Sequence, residues 1–265
     1  MNYETKTNEI RQMVIDMLYR CQSGHPGGSL SEVEILTALY YNVMKVDPKN
    51  PHDDARDRFV LSKGHGCPTL YAILADLGFF PKSDLDSLRQ VHSHLQGHPD
   101  MKKTPGIDCN TGSLGEGIAV AMGMALAAKH MNKSYRVFTL VGDGECQEGL
   151  VWEAAMAAAH YRLDNFVVML DYNGLQIDGS NPEVMDLGDI VGKFEKFGFD
   201  CATVDGHDIA AITAELEKKA PGKPRFICCK TVKGKGVSFM ENQSGWHGAV
   251  MSETDYNNAM KELRG

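Results

Sequence analysis

The sequence lacks several features that mark common classes of protein. Its apolar runs stay well short of the roughly 18 residues that a membrane span needs, and its polar, acidic start, MNYETKTNEI, has no apolar signal-peptide core. It contains no block of lysine or arginine, and its formal net charge is −8. These absences predict a soluble protein that binds neither membranes nor nucleic acid.

Common metal and nucleotide motifs are also missing. The seven cysteines form no zinc-type CxxC pair, and Cys228 and Cys229 are adjacent in a strand-like run, so reduced thiols in a cytoplasmic compartment are the simplest interpretation. No GxGxxG follows a first strand, which disfavours a nicotinamide-binding Rossmann protein. The segment Lys233–Gly236 is predicted to be a flexible basic loop. It does not form a complete phosphate-binding loop, because the Walker spacing GxxxxGK[ST] is absent.

The size and composition of the chain predict one domain over residues 1–265. Its 265 residues, 43% of them hydrophobic, can bury a large core. An α/β fold of this size often forms a single domain.

One stretch, Arg136 to Gly179, combines two predicted strands with polar turns. Val137–Val141 is an apolar run that ends at Gly142-Asp143-Gly144, and an alanine-rich helix is predicted over Leu150–His160. Asn165–Leu170 is a second apolar strand, followed by an Asp-Tyr-Asn-Gly turn. The pattern predicts a parallel βαβ unit.

Asp143 and Asn173 follow these two predicted strands. Because ligands of open α/β sheets bind beyond the carboxyl ends of strands, we expect the two side chains to lie side by side. A carboxylate, an amide oxygen and a loop carbonyl are hard ligands that suit Mg²⁺ or Ca²⁺.

The longer string GDGECQEG…NFVVMLDYNGLQIDG resembles the signature of thiamine diphosphate enzymes, and of the transketolase family in particular. The resemblance implies an α/β thiamine diphosphate-binding fold, whose central, mostly parallel sheet carries helices on both faces. It also implies that Gly142 and Gly144 lie at the cofactor diphosphate. Three groups would hold its metal ion, Mg²⁺ or Ca²⁺: Asp143, Asn173 and the main-chain carbonyl of Leu175.

Four histidines lie in motifs that resemble those of the same family. His25, in SGHPG, would line the substrate channel, and His98, in GHPD, would meet the hydroxyl groups of the donor sugar. His65, in FVLSKGHG, and His247, in WHG, would contact both the diphosphate and the substrate. Since histidines exchange protons near neutral pH, we expect the four to share acid, base and hydrogen-bonding roles.

The string TGSLGEG is similar to the family motif TG(S/P)LGQG. By that resemblance three residues would pack beside the cofactor rings: Gly112, Ser113 and Leu114. Glu116 replaces the usual glutamine, which leaves the role of that position open. Glu148 and Glu153 match family acids of a subunit-interface network coupled to the cofactor ring, although carboxylates near a helix start are also favoured by the helix dipole alone.

Three local patterns complete the predictions. The close histidines His92, His94 and His98 could suggest zinc, but they have no cysteine partner and no helical i, i+4 pair. A polar helix is predicted over Asp84–Val91. Ser29 and Glu32 have the spacing of a capping box that opens another helix.

The resemblance runs from Ser23 to Gly248 and covers the diphosphate-binding half of a transketolase. It implies the N-terminal subunit of a split enzyme that transfers a two-carbon ketol unit from a ketose or ketose phosphate to an aldose or aldose phosphate. The partner would be a separate C-terminal subunit with the pyrimidine-binding domain. Two copies of each chain would form a heterotetramer, and this chain alone would be inactive.

Other functions stay open at this point. The chain could serve another thiamine diphosphate reaction, such as deoxyxylulose-phosphate synthesis or 2-oxo acid dehydrogenation, although several histidines favour a sugar donor. It could also be a regulatory protein that keeps the cofactor site without turnover, although the intact set of four histidines argues against this.

Overall fold

The computed structural model describes residues 2–265. Within them, five parallel strands form one sheet in the order β1-β2-β3-β5-β4. The strands are β1 (Arg58–Leu61), β2 (Val137–Gly142), β3 (Phe166–Tyr172), β4 (Asp200–Asp205) and β5 (Arg225–Lys230). The predicted parallel sheet and its central βαβ unit are confirmed.

Helices connect these strands and flank the sheet. They are α1 (Tyr3–Cys21), α2 (Pro26–Ser31), α3 (Val33–Ala38), α4 (Cys67–Leu77), α5 (Glu116–His130), α6 (Gly149–His160), α7 (Asn181–Val184), α8 (Ile190–Phe197), α9 (Ile209–Glu217) and α10 (Glu253–Arg264). A π-helical turn, Leu39–Val43, continues α3.

The central strands are buried on both faces, which explains their nearly continuous apolar sequences. Side chains alternate along each strand, so Phe138 and Leu140 pack with α1, α3, α4, α9 and α10. Val137 and Val141 lie in a second cluster, on the opposite face, with α5, α6 and α8. Helices therefore cover both faces of the sheet, as predicted.

The predicted polar helix over Asp84–Val91 is wrong. A 3₁₀ turn over Lys82–Ser87 is followed by a loop in which Arg89 and His92 have φ angles of 61° and 68°. A left-handed residue cannot continue a right-handed helix, so the segment ends in tight turns instead.

The predicted capping box of Ser29 and Glu32 is also wrong. Helix α2 begins at Pro26, directly after His25, so Ser29 lies inside the helix. The Ser29 hydroxyl donates to the carbonyl of His25 at 2.8 Å. The side chain of Glu32 is fully buried and serves a different purpose, as part of an ion-pair network beneath the cavity.

Two further observations concern the chain as a whole. All seven cysteines are free thiols. Among residues 2–265, no helix combines the length and the apolar character required to cross a lipid bilayer.

Candidate functional site

A cavity of about 400 Å³ lies at the carboxyl ends of β1, β2 and β3. Its lining includes every predicted site residue except Ser113 and Glu153, which are exposed side chains outside it. The predicted residues that it brings together are His25, His65, His98, Gly112, Leu114, Gly142, Asp143, Gly144, Glu148, Asn173, Leu175 and His247. Strand ends, loops and helix starts that are distant in the sequence therefore converge on one space.

Asp143 connects the loops that follow β2 and β3. Its buried carboxylate accepts hydrogen bonds from the backbone N–H groups of Gly144 and Gly174, at 2.8 and 2.6 Å. Burial and the nearby charge of Asp171 raise the pKa of Asp143, although the hydrogen bonds oppose that shift. The side-chain oxygen of Asn173 accepts from the N–H of Leu175 at 3.2 Å. The predicted metal ligands thus belong to two loops joined by hydrogen bonds.

Lys233 is a site residue that the sequence analysis missed. Its side chain is buried, and Nζ donates to the Leu175 carbonyl at 3.2 Å and lies 2.9 Å from Nδ1 of His247. Burial lowers the pKa of Lys233 to about 8; Asp143 opposes this shift, whereas the positive charge of Lys63 adds to it. The predicted flexible basic loop therefore places an ammonium group in the cavity.

Three of the predicted histidines form a cluster. The ring centroids of His25, His65 and His247 are 5.0 to 5.4 Å apart. His98 lies against Gly112, whose φ is 136°, and a Cβ at that glycine would come within 2.7 Å of the His98 ring. Gly112 thus leaves room for His98 in a backbone conformation that favours glycine.

Burial keeps the clustered histidines neutral at neutral pH. It lowers the pKa of His25 to about 4 and that of His247 to about 3, and positive neighbours such as Lys233 add to both shifts. Burial and the positive charge of Lys63 also lower the pKa of His65 well below its ordinary value. Neutral imidazoles each offer one hydrogen-bond donor and one acceptor, so each ring can both donate to and accept from a bound ligand.

Lys63 is the second missed residue, and it forms a buried ion-pair network beneath the cavity. Its ammonium contacts Asp171 at 2.5 Å and Glu32 at 2.8 Å, and it donates to the Gly28 carbonyl at 2.8 Å. Burial raises the pKa of Glu32 to about 8 against the opposing charge of Lys63. The charge of Lys63 lowers the pKa of Asp171 against the effect of burial, so the Asp171 carboxylate balances this ammonium within the chain, whereas the raised pKa of Glu32 favours its neutral form at pH 7.

Next to the cavity, α5 and α6 pack together and leave an apolar surface open. We call this the α5–α6 face; its exposed side chains include Val120, Leu150 and Met156, with 44%, 39% and 58% of their surface accessible. Leu114 is 37% exposed and also lines the cavity, as does Glu148. The cavity mouth and the α5–α6 face are therefore continuous.

Comparison with known proteins identifies this arrangement. The sequence model described as "Transketolase, thiamine diphosphate binding domain" matches residues 3–264. The chain belongs to the transketolase family. This assignment agrees with the resemblance seen in the sequence motifs and names thiamine diphosphate as the ligand of the domain.

Proteins named as transketolase subunits are among its relatives. The chain is 43% identical to the 6-deoxy-6-sulfo-D-fructose transketolase subunit SqwG of Clostridium sp. (strain MSTE9), over 99% of this chain and 96% of that protein. It is 40% identical to an apulose-4-phosphate transketolase subunit of Phocaeicola vulgatus, over 98% and 93% of the two chains.

Longer transketolases share the same fold. A transketolase variant from Pichia stipitis superimposes with a TM-score of 0.94 and 32% identity, over 99% of this chain and 41% of that one. The Leishmania mexicana transketolase gives a TM-score of 0.93 at 32% identity, over 100% and 41%. The chain thus spans about two fifths of the length of these solved transketolases. The superpositions confirm the predicted thiamine diphosphate-binding fold.

Proposed function

We propose that the chain, with residues 1–265 as a single domain, is the N-terminal subunit of a two-chain transketolase. The enzyme transfers a two-carbon ketol unit from a ketose to an aldose. The main support is the cavity itself, which joins oxygen donors, an ammonium and a cluster of neutral histidines next to an open apolar face. The relatives from Clostridium and Phocaeicola, nearly equal to it in length, are named as subunits of such enzymes.

The residues present fit thiamine diphosphate and a divalent metal ion, Mg²⁺ or Ca²⁺. Three oxygen donors would hold the metal: the Asp143 carboxylate, the Asn173 amide and the Leu175 carbonyl. Within residues 2–265, no three histidine, cysteine, aspartate or glutamate side chains form a metal site, so the metal would depend on this mixed set, which suits hard cations. The metal would share the Leu175 carbonyl with the Lys233 ammonium.

The diphosphate would be held by cations and hydrogen-bond donors. Lys233 supplies positive charge inside the cavity, and His65 and His247 are close to each other beside it. Gly142 and Gly144 line the cavity at the end of β2 without a side chain. The nearest atoms to a Cβ at either position would be 3.7 Å away, so the space beside both residues is open. An anionic group therefore meets both charge and space at this end of the cavity.

The aromatic rings of the cofactor would lie toward the loop of Gly112 and Leu114, which line the same cavity. Ser113, between them, is exposed, and we assign it to the edge of the ring site rather than to its interior. The bound cofactor supplies a nucleophilic carbon and an electron sink for cleavage of the sugar C2–C3 bond.

The histidines of the cavity would handle the protons of that cleavage. His25, His65, His98 and His247 are all in the cavity lining, and the low pKa of the buried rings leaves them unprotonated at neutral pH. A neutral ring can take the proton of the donor's C3 hydroxyl as the C–C bond breaks and can return one when the acceptor sugar is joined. The role is assigned to the group rather than to one ring.

A partner subunit with a pyrimidine-binding domain would dock on the α5–α6 face. The face is apolar and continuous with the cavity mouth, so a chain that covers it would also close the cofactor site. Glu148, in the cavity lining, and Glu153, exposed on α6, would meet that partner. Two copies of each chain would form a heterotetramer, and the free thiols agree with a cytoplasmic site of action.

The direct test mixes the chain with the product of the adjacent gene as the partner subunit. Thiamine diphosphate, Mg²⁺, fructose 6-phosphate and ribose 5-phosphate are added, and formation of sedoheptulose 7-phosphate is measured. We expect activity in the mixture and none in either chain alone. An Asp143→Asn variant, which keeps the shape but loses a metal-binding charge, should lower the activity by about 100-fold or more.

Two results would count against the proposal. A mixture that binds thiamine diphosphate but transfers no two-carbon unit from any ketose would support a regulatory role. Consumption of pyruvate, with no reaction of fructose 6-phosphate, would support another thiamine diphosphate reaction.

A further inference from the structure

The loop that carries Lys233 is held by side chains on both sides of that residue. The backbone N–H of Val232 donates to Nε2 of His207 at 2.9 Å. On the other side, the carbonyl of Lys235 accepts from Nε of the buried Arg11 at 2.8 Å. His207 lies between β4 and α9, and Arg11 lies on α1. The backbone around Lys233 is therefore fixed by two elements that are distant from it in the sequence.

Glu34, on α3, joins these two contacts. Its buried carboxylate pairs with Arg11 at 2.8 Å and lies 2.9 Å from Nδ1 of His207. Because the backbone N–H of Val232 can only donate, Nε2 of His207 must keep its lone pair. The single ring proton is then on Nδ1, which donates to Glu34. His207 therefore connects a buried carboxylate to the backbone of the loop that carries Lys233.

The contacts of Lys233 in the cavity depend on where this loop lies. Its side chain is 1% exposed, and its Nζ is 3.2 Å from the carbonyl oxygen of Leu175 and 2.9 Å from Nδ1 of His247. Hydrogen bonds weaken beyond a donor–acceptor distance of about 3.2 Å, so a loop shift of about 1 Å would weaken or break both contacts. The position of the ammonium thus requires a backbone that is held in place.

We propose that His207 is a positioning residue, which acts through Val232 to place the ammonium of Lys233 at the diphosphate end of the cavity. This inference rests on the proposed function, in which Lys233 meets the diphosphate. His207 lies outside the cavity lining, so its effect on a ligand passes through the loop. Residues that orient a ligand-binding group change affinity about 10- to 100-fold at metal sites, and we expect an effect at the lower end of that range.

Two amide variants separate the two hydrogen bonds of the ring. His207→Asn places an amide N–H near the position of Nδ1, so it keeps the bond to Glu34 but removes the acceptor for Val232. His207→Gln is long enough to place an amide oxygen near the position of Nε2, so it keeps that acceptor. The control is His52→Asn, at an exposed histidine. A residue that only stabilised Glu34 would be replaced at least as well by asparagine as by glutamine.

The binding test uses the complete enzyme, formed with its partner subunit, without sugar. Inorganic diphosphate is titrated in the presence of Mg²⁺, and its affinity is measured by calorimetry. We expect His207→Asn to weaken binding about 10-fold, whereas His207→Gln and His52→Asn should bind as tightly as the unmodified enzyme. Equal affinities of the two His207 variants, weaker binding by His207→Gln, or an unmodified enzyme that does not bind diphosphate would each overturn the proposal.

An NMR measurement on the chain alone separates this inference from the proposed enzyme activity. The ¹⁵N signals of the histidine rings report which nitrogen carries the proton. We expect His207 to be protonated at Nδ1, and the ring signals of His247, which contacts Lys233, to shift in His207→Asn but not in His207→Gln. A proton on Nε2 of His207, or unshifted His247 signals in His207→Asn, would overturn the proposal even if the enzyme is an active transketolase. The expected signals together with no two-carbon transfer would count against the proposed function instead.

Discussion

The helices on the two faces of the sheet differ in how completely they bury their apolar side chains. The face with α1 and α10 is closed by its own contacts: the rings of Tyr19 and Tyr256 stack at 4.2 Å, and the buried Arg11 pairs with Glu34. The other face is covered by α5, α6 and α8, but α5 and α6 leave apolar side chains such as Met156 in solvent. Both faces therefore carry a buried core, but the second also leaves apolar side chains of α5 and α6 in solvent, where we propose that the partner subunit docks.

The largest effect on assembly is expected from a charge on the open face. Met156→Asp places a carboxylate at an apolar position that the partner subunit would cover, so association should weaken about 100-fold or more, since burial of an unpaired charge is costly. The free energy of unfolding of the chain alone should not change, because Met156 is 58% exposed.

Calorimetric titration with the partner subunit measures this association. The matched control is Val91→Asp, at a side chain that is 85% exposed in the loop between Leu88 and Leu95, which pack with the closed face. Equal association of both variants would mean that the α5–α6 face is not the docking surface.

A change in the buried ion-pair network beneath the cavity should lower the stability of the chain rather than its association with the partner. Lys63→Met leaves Asp171 and Glu32 buried without their counter-charge, so the free energy of unfolding should fall by about 3 to 5 kcal/mol. Urea unfolding measures the loss. The exposed Lys82 gives the control variant Lys82→Met, and a second substitution, Asp171→Asn, should recover part of the loss. A change below about 1 kcal/mol would contradict the role given to this network.

A smaller effect follows from the pH. The pKa of His25 is lowered by burial to about 4 from its ordinary 6.5, so the unfolded chain binds more protons between these values. The contribution of His25 to the free energy of unfolding should therefore be fully present above pH 6.5 and should be lost as the pH falls toward 4. We expect this contribution to be about 1 kcal/mol after allowance for the partial exposure of the ring.

Urea midpoints at pH 7 and pH 5 measure this dependence. His25→Asn should reduce the difference between the two pH values, whereas the same change at the exposed His52 should leave it as it is. An identical difference in the His25 variant would show that this ring does not account for the pH dependence.

The smallest effect is expected at the end of a closed-face helix. Ser252 caps α10, with its hydroxyl accepting from the N–H of Asp255 at 3.1 Å and the Asp255 side chain accepting from the N–H of Ser252 in return. Ser252→Ala should lower the free energy of unfolding by about 1 kcal/mol. Binding of the partner subunit should be unchanged. Weaker binding would contradict the assignment of docking to the α5–α6 face alone.

The sequence patterns predicted the parts of the fold that depend on short stretches of neighbouring residues. Apolar runs that end in glycine turns specify β2 and β3, and the rule that ligands lie beyond parallel strand ends brought Asp143 and Asn173 to one cavity. The helix over Asp84–Val91 failed because its polar residues carry little periodicity, and the left-handed Arg89 depends on the fit of the loop to its surroundings.

The two cavity lysines could not be found in the same way. Lys63 lies in the string FVLSKGHG, directly after an apolar run, and Lys233 lies in the predicted flexible basic loop; each precedes a glycine. Their burial is produced by partners far away in the chain: Asp171 is 108 residues from Lys63, and Leu175 is 58 residues from Lys233. Such pairs leave no periodic signal, although a lysine next to a predicted strand end would have been a reason to include Lys63.

Lys233 also gives the cavity a chemical reactivity of its own. With a pKa of about 8, roughly a tenth of its side chain is an uncharged amine at pH 7, and an uncharged amine attacks aldehydes to form an imine with loss of water. Aldose sugars carry that aldehyde in their open-chain form. An acceptor sugar that enters this cavity thus meets an amine of the protein that lines the same space.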